Sequence, residues 1–581
     1  MDSFIQQWFR SGQHRPADVR IDLLWLTGLV LLLVATGIGL RDPWPADEPR
    51  FALIARDMLA TGQWLIPQVG GDVYADKPPL FFWLVAAGIA ATGSVRWAFL
   101  LPSLFASLGC VVLVYDLGRR LWNRETGLAT ALALLFSVQF VWQARQAQID
   151  ATLCFFTTLS LYGLLRHCLQ GPRWGWYTIG WAAAGFGIIT KGVGFLPLLV
   201  LLPYVLSRKG GWQPRPQFRG GWRWWLGPLA LSMAVSVWLA PMLLAAESTP
   251  ELRAYRDEIL FGQTVERYAS AWHHREPFWY FILEVIPGLW LPFTALLPWL
   301  VPRWRDRLRE KDLRVLLPLA WVAIVVLFFS FSTGKRGVYV LPALPALALA
   351  TGPVLAHIAQ RRGAQRLIFA LACLIAIVGL AGGAWLFFEP AQRQKLLDLH
   401  GIDGVVPLLS LGLATGLACA LCRPHRGFLA WGLVVVATLV WVSFVVNPAI
   451  NAVRSGAALM RRVEALTPPD RPLGLVGYRE QYLLELRRPV TNFGHARWRD
   501  ADQEAADAAL WLSQDRDRVL LVDEYVLHAC FPDVSPHELG LANREHWYLV
   551  EGAASPDCIA RGRASATIRY DPSQALKYSH K

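Results

Sequence analysis

Apolar residues run along this chain in long unbroken blocks, each closed by a short basic or polar gap. They do not follow the 3.6-residue period of a surface helix or the two-residue alternation of a half-buried strand. The first block, Ile21 to Leu40, is about 20 residues long, enough for a helix to cross a hydrocarbon layer ~30 Å thick. It follows a basic stretch (Arg10, Arg15, Arg20) with no small-residue cleavage site, which predicts a retained first helix. Further blocks follow at about 97–117, 126–142, 150–167, 174–190, 193–207, 224–246, 278–302, 314–332, 338–359, 366–388, 403–421 and 427–447. One more apolar stretch, Pro79 to Thr92, is about 14 residues long, short for a span, and reads as an interfacial or re-entrant helix.

That reading fixes the sidedness. With Pro79–Thr92 not crossing, the clusters Arg119/Arg120/Arg124, Arg208/Lys209/Arg215/Arg219/Arg223, Arg303/Arg305/Arg307/Arg309/Lys311/Arg314, Arg361/Arg362/Arg366 and Arg423/Arg426 all fall on one side. The positive-inside rule makes that side cytoplasmic. The expectation is an all-α polytopic membrane protein of about thirteen spans, with its N-terminus in the cytoplasm. Residues 1–447 form the transmembrane domain, with outer loops 41–96 and 247–277. Beyond Asn447 the composition turns polar, with short apolar runs such as Pro472–Gly477 and Val519–Val522 between helical segments. This predicts a small extracytoplasmic α/β domain over 448–581. Cys530 and Cys558 lie in it, in a compartment that permits disulfides.

Composition agrees. A chain of 581 residues, 54% hydrophobic and 17% charged, is too apolar for an ordinary soluble protein. The net charge of +13 is not a nucleic-acid signal, because the basic residues sit in the gaps where they set topology. Cys110, Cys154, Cys373 and Cys419 lie inside apolar blocks as small core residues. No internal repeat is evident, and few ionisable residues interrupt mid-span, which argues against a transporter or lipid flippase.

The acidic residues collect instead at outer span ends and in the two outer loops, as for an active site on loops carried by a helical scaffold. Asp47 and Glu48 are adjacent carboxylates just past the first span. Asp47 reads equally as a helix N-cap ahead of Pro49 and as a catalytic carboxylate. Asp76 and Lys77 precede Pro78 and Pro79, where an ammonium beside a helix N-terminus suits a phosphate or, more simply, snorkels to the interface. Asp150 opens a span from outside and reads as a cap or a catalytic group. In the second loop Arg253, Arg256, Arg267, His273, His274, Arg275 and Glu276 suit a solvated amphipathic helix, and adjacent histidines are poor geometry for one metal. Lys191, Lys335 and Arg336 stand on outer turns against the positive-inside rule and call for an anion such as a lipid phosphate. Nucleotide-binding and zinc-protease motifs are absent.

The segment ADEPRFALIARDMLATGQWLIPQVGGDVYADKPPLFFWL resembles the first outer loop of bacterial polyprenyl-phosphate-dependent glycosyltransferases of the GT-C type. The likeness is strongest to lipid A aminoarabinose transferases, with protein O-mannosyltransferases as more distant relatives. GRRLWNRETG, QIDATLCFF, TKGVGFLPLL and STGKRGVYVLPALPALALA follow in the family's order. The resemblance implies an inverting transfer of a sugar from a polyprenyl (undecaprenyl) phosphate donor to a periplasmic-face acceptor, lipid A or, in sister enzymes, a protein or another glycan. It assigns Asp47 and Asp150 to the reaction centre, with Glu48 beside them. It gives Lys77 and Arg267 to the donor phosphate and Tyr339 to the cavity; by their place on outer turns and in the first loop, Lys191, Lys335 and Arg336 join the donor-phosphate set and Asp76 the cavity. Two departures stand out: Phe51-Ala52-Leu53 replaces a usual Tyr-Ala-Glu, and Asp76 replaces a usual Glu. Some members hold a divalent metal near that Glu with second-loop histidines, so the departure at Asp76 bears on whether a metal binds here. The implied location is the bacterial inner membrane, with the C-terminal domain periplasmic.

Overall fold

The computed structural model describes residues 16–217, 220–266, 276–477, 479–494, 500–563 and 567–573. The apolar blocks fold as helices because a segment without water must satisfy its own backbone N–H and C=O groups. Among the described residues seven helices are long and apolar enough to cross a membrane, and up to ten if each of three bent pairs counts as one crossing. The bent pairs fall on three of the predicted spans. Arg124–Leu135 meets Val138–Ala144 at 67°, Phe281–Leu289 meets Phe293–Arg309 at 105°, and Pro390–His400 meets Val405–Ala420 at 98°. The last bend follows Gly401, whose φ of +67° ends the preceding helix in the left-handed conformation open to glycine.

The basic gaps come together at one end of the bundle. Arg314 Nη1 donates to the Leu121 carbonyl at 3.2 Å. Leu313 N donates to Gln213 O at 2.8 Å, and Gln213 N donates to Lys311 O at 2.9 Å. The short apolar stretch is a helix over Leu80–Thr92. It lies against the helix Glu48–Thr61, with the Phe51 ring centroid 5.5 Å from that of Phe81 and 5.6 Å from that of Phe82.

The C-terminal region carries a six-stranded mixed sheet. After a small hairpin of β1 (Gln68–Val69) and β2 (Asp72–Val73), its strands are β3 (Leu473–Leu475), β4 (Val490–Asn492), β5 (Val519–Asp523), β6 (His537–Ala542), β7 (Glu545–Val550) and β8 (Ile568–Tyr570). Their order is β6-β7-β5-β3-β4-β8. The parallel strands β3, β4 and β5 are central, and the buried run Val519–Val522 is the continuous apolar strand such a position requires. Cys530 and Cys558 are joined by a disulfide.

This sheet is seated on the first loop. Arg56, fully buried, donates to the carbonyl of Leu484 at 2.6 Å and to the Tyr570 hydroxyl at 2.6 Å, and that hydroxyl donates to Asp57 Oδ1 at 2.8 Å. Arg50 Nε reaches Glu480 Oε1 at 2.6 Å. Phe51, Ile54, Met58, Leu459, Leu473 and Tyr482 share one apolar cluster. The helical run that ends the last apolar block passes through Asn447 without interruption to Arg454.

Candidate active site

The loop after the first helix turns at Pro45-Ala46-Asp47 and enters the helix Glu48–Thr61 there. Asp47 occupies the N-cap position, but its side chain makes no capping bond. Its carboxylate faces a turn from a different part of the chain, accepting from Arg336 Nη2 at 3.2 Å.

Its neighbour Glu48 points elsewhere and is buried. Arg41 holds it with both terminal nitrogens, one of them 2.7 Å from Oε1. The amides of Trp44 and Ala147 each donate to it at 3.0 Å. With both oxygens occupied, Glu48 ties the loop that presents Asp47 to the segment that leads into Asp150.

Asp150 lies in the first turn of the helix Ile149–Leu169 and accepts from Lys191 Nζ at 2.7 Å. The same ammonium stands 4.3 Å from the centroid of the Tyr339 ring, a cation–π arrangement. Asp150, Lys191 and Tyr339 are thus brought together from three separate segments. Arg336 links this group to Asp47: burial weakens its charged form, but the carboxylates of Asp47 and Asp150 more than offset that and raise its pKa.

Lys77 donates to the carbonyl of Asp76 at 2.8 Å. Three residues on, Leu80 N donates to Ile189 O at 3.3 Å, which fastens the start of that helix beside the turn carrying Lys191. Lys335 is buried and donates to the carbonyls of Ser332 and Glu276 at 2.6 and 2.7 Å, so its ammonium locks its own turn. Arg267, His273, His274 and Arg275 lie outside the described residues. Among the described residues no group of three or more His, Cys, Asp or Glu converges as a metal would need.

Several residues without a sequence motif of their own also meet here. Arg50 follows Asp47 by three positions, the helical spacing that keeps side chains on one face. It couples that face to Glu480 in the C-terminal region. Tyr74 is buried, and burial together with the Asp76 charge pushes its phenol above the usual range. A cavity of about 250 Å³ opens beside Asp47, bordered by Arg41, Trp142, Arg145, Arg336 and Arg454. The sequence offered no signal for Arg145 or Arg454, which meet only through the fold.

The chain that carries this site resembles known proteins along most of its length. Residues 76–239 match the family described as dolichyl-phosphate-mannose-protein mannosyltransferase. The undecaprenyl phosphate-α-4-amino-4-deoxy-L-arabinose arabinosyl transferase of Pseudomonas paraeruginosa (strain PA7) is 31% identical over 542 residues, covering 89% of each chain. The enzyme designated arabinosyl transferase 2 of Pseudomonas fluorescens (strain Pf0-1) is 29% identical over 501 residues, covering 84% of this chain and 82% of its own. The crystal structure of ArnT from Cupriavidus metallidurans bound to undecaprenyl phosphate superposes with a TM-score of 0.71 at 22% identity, covering 90% of this chain and 97% of that one. The fold is therefore ArnT-like, and the chain is a multi-pass membrane glycosyltransferase that belongs to the undecaprenyl phosphate-α-4-amino-4-deoxy-L-arabinose arabinosyl transferase family.

Proposed function

We propose that this enzyme moves 4-amino-4-deoxy-L-arabinose from undecaprenyl phosphate to a phosphate group of lipid A, at the periplasmic face of the bacterial inner membrane. The observation that carries the residue assignment is the pairing of Asp47 with Arg336 beside a cavity and of Asp150 with Lys191 next to it, with the Asp47 and Asp150 charges both acting on Arg336. The thirteen-crossing count takes each helical block and each bent pair as one span. It places the N-terminus in the cytoplasm, and the gathered basic gaps support that orientation. The division into a membrane domain (1–447) and a periplasmic domain (448–581) belongs to the same reading, with the second domain seated on the loop that carries Asp47.

In the reaction, Lys77 and Arg267 hold the donor phosphate while the sugar lies toward Asp47 and Asp150. An acceptor oxygen attacks the anomeric carbon as the bond from that carbon to the donor phosphate oxygen breaks. The electron pair leaves with undecaprenyl phosphate, whose new charge the cations stabilise. A single displacement inverts the anomeric centre. An ionised phosphate acceptor brings no proton to remove, so Asp47 serves to orient the reacting groups and to balance the charge that gathers on the sugar. Glu48 acts as a positioning residue, through its bonds to Arg41 and the loop amides. Tyr339 braces Lys191. No step is assigned to a metal.

Mass spectrometry of lipid A from cells with and without the gene tests the reading. The expected product is a phosphate-linked aminoarabinose that disappears with the gene. Unchanged lipid A would transfer the assignment to a protein or glycan acceptor. With purified protein, Lys77→Ala should raise the donor KM by about ten-fold, the effect of losing a charged contact worth roughly 1.5 kcal/mol. Unaltered donor dependence would reject the phosphate role.

A further inference from the structure

The cavity beside Asp47 carries more positive charge than its own carboxylates neutralise. Four arginines border it. Arg41 is spent on Glu48 and Arg336 on Asp47. Arg145 and Arg454 remain, and among the described residues neither has a carboxylate within ion-pair distance. Arg145 donates to the neutral Leu33 carbonyl at 2.6 Å and to the Ser443 hydroxyl at 2.5 Å. Arg454 lies over the Trp44 ring, 5.3 Å from its centroid. Both are partly buried. Burial and the Arg41 charge bring Arg145 down to about 10, while burial followed by the Arg544 charge lowers Arg454. Both guanidiniums are partly desolvated and without an ion-paired carboxylate among the described residues, and their planar forks match phosphate oxygens.

Two phosphates attend the proposed reaction, one on the donor and one on the acceptor. Lys77, Lys191 and Tyr339 do not border this cavity, whereas Asp47 does. The donor group and the cavity therefore meet only at the Asp47–Arg336 pair, which is where a sugar passing between two phosphates must stand. We propose that Arg145 and Arg454 form the acceptor subsite, binding a phosphate monoester of the acceptor lipid so that one of its oxygens faces the anomeric carbon. This rests on the reading of a phosphate acceptor given above and names the residues that recognise it. The exposed Trp142 at the cavity rim offers an apolar face to the remainder of the acceptor. A hydroxyl acceptor would instead need a free base and no cations, which is not what this cavity supplies.

The test is steady-state transfer by the full-length detergent-solubilised enzyme, from undecaprenyl phosphate-linked aminoarabinose to phosphorylated lipid A. Arg454→Gln should raise the acceptor KM by roughly ten-fold, the equivalent of about 1.4 kcal/mol, and leave the donor KM within about two-fold. Arg454→Lys retains the charge without the fork and should fall between the two; it gives the same acceptor-over-donor split if the Gln variant does not accumulate. Arg145→Lys should show that split as well. A rise in the donor KM instead would assign the cavity to the donor phosphate, and unchanged values of both would remove the subsite; either result overturns the proposal and leaves the transferase reading intact. A wild-type enzyme that moves no sugar to any phosphate acceptor would overturn that reading, and the subsite with it.

Discussion

Carboxylates meet cations at both ends of the first helix, yet the two ends are built differently. At the end where the basic gaps gather, Asp22 is fully buried and both its oxygens are filled. Arg124 reaches them at 2.6 and 2.7 Å, and the Tyr115 hydroxyl adds a third bond at 2.6 Å. Asp116 likewise takes Arg119, Arg120 and Tyr162, and Asp312 takes Arg314 by both oxygens. At the loop end, among the described residues, the Asp47 carboxylate has one long contact, from Arg336, and that of Asp150 one, from Lys191, with side chains 19% and 12% exposed. A saturated carboxylate fixes structure and has no oxygen left for a ligand. One held by a single cation and partly open is oriented and still able to receive a partner.

The sharpest break of this comparison is between Asp47 and Asp22. Asp47→Asn should lower kcat by about 10²–10⁴-fold, the usual range for a group acting on the reacting atoms, with the melting temperature in detergent nearly unmoved. Asp22→Asn should do the reverse. It leaves Arg124 in a buried site without its counter-charge, at a cost of about 3–5 kcal/mol in stability, while turnover per folded molecule holds. An active Asp47→Asn enzyme, or an Asp22→Asn enzyme that melts normally and does not turn over, would erase the distinction.

The helical membrane architecture and the family motif that nominates the candidate site were legible in the sequence, because apolar blocks and short motifs are local signals. What escaped it were the fates of neighbours. Asp47 and Glu48 are adjacent, as are Lys335 and Arg336, and charge placement treats each pair alike. The fold sends Glu48 into Arg41 and two amides, and Lys335 into two carbonyls, while Asp47 and Arg336 meet each other. Arg454 was invisible for another reason. Its helix is fixed to the first loop by Asn451, which bonds Asp42 and Trp44 across some 400 positions, and no local pattern encodes that. The hairpin between β6 and β7 shows the same limit: its two turn residues, Asn543 and Arg544, have φ of +51° and +70°, a turn that glycine usually marks.

The loop end also holds a carboxylate with no cation on it, which gives the comparison a pH signature. Glu485 has no ion-pair partner among the described residues. Burial pushes it up to about 7, the Asp42 charge adds to this, and Arg56, Arg96 and Arg461 only partly oppose it. Its folded pKa therefore lies above the unfolded value, so the folded state binds the extra proton between roughly pH 4.5 and 7. Stability should fall as pH rises through that window, by no more than about 3 kcal/mol. Melting curves from pH 5 to 8 should show the slope in the wild type and lose it in Glu485→Gln; a slope that survives the substitution would place its origin elsewhere.

The smallest expected effect concerns Lys191, and it separates a cation that shapes the site from one that only braces a helix. Lys191→Met removes the one side-chain partner of the Asp150 carboxylate among the described residues and the charge beside Tyr339, and should reduce kcat/KM by roughly ten-fold, about 1.4 kcal/mol. Lys191→Arg should recover much of it, because the charge returns while the fit against the ring changes. Arg120→Met is the matched control at the other end. It too removes a cation from a carboxylate, but Asp116 keeps Arg119 and Tyr162, so kcat/KM should stay within about two-fold and the stability loss within about 1 kcal/mol. Equal losses from Lys191→Met and Arg120→Met would mean that both ends hold scaffold charges alone, and that Asp150 owes nothing catalytic to its single cation.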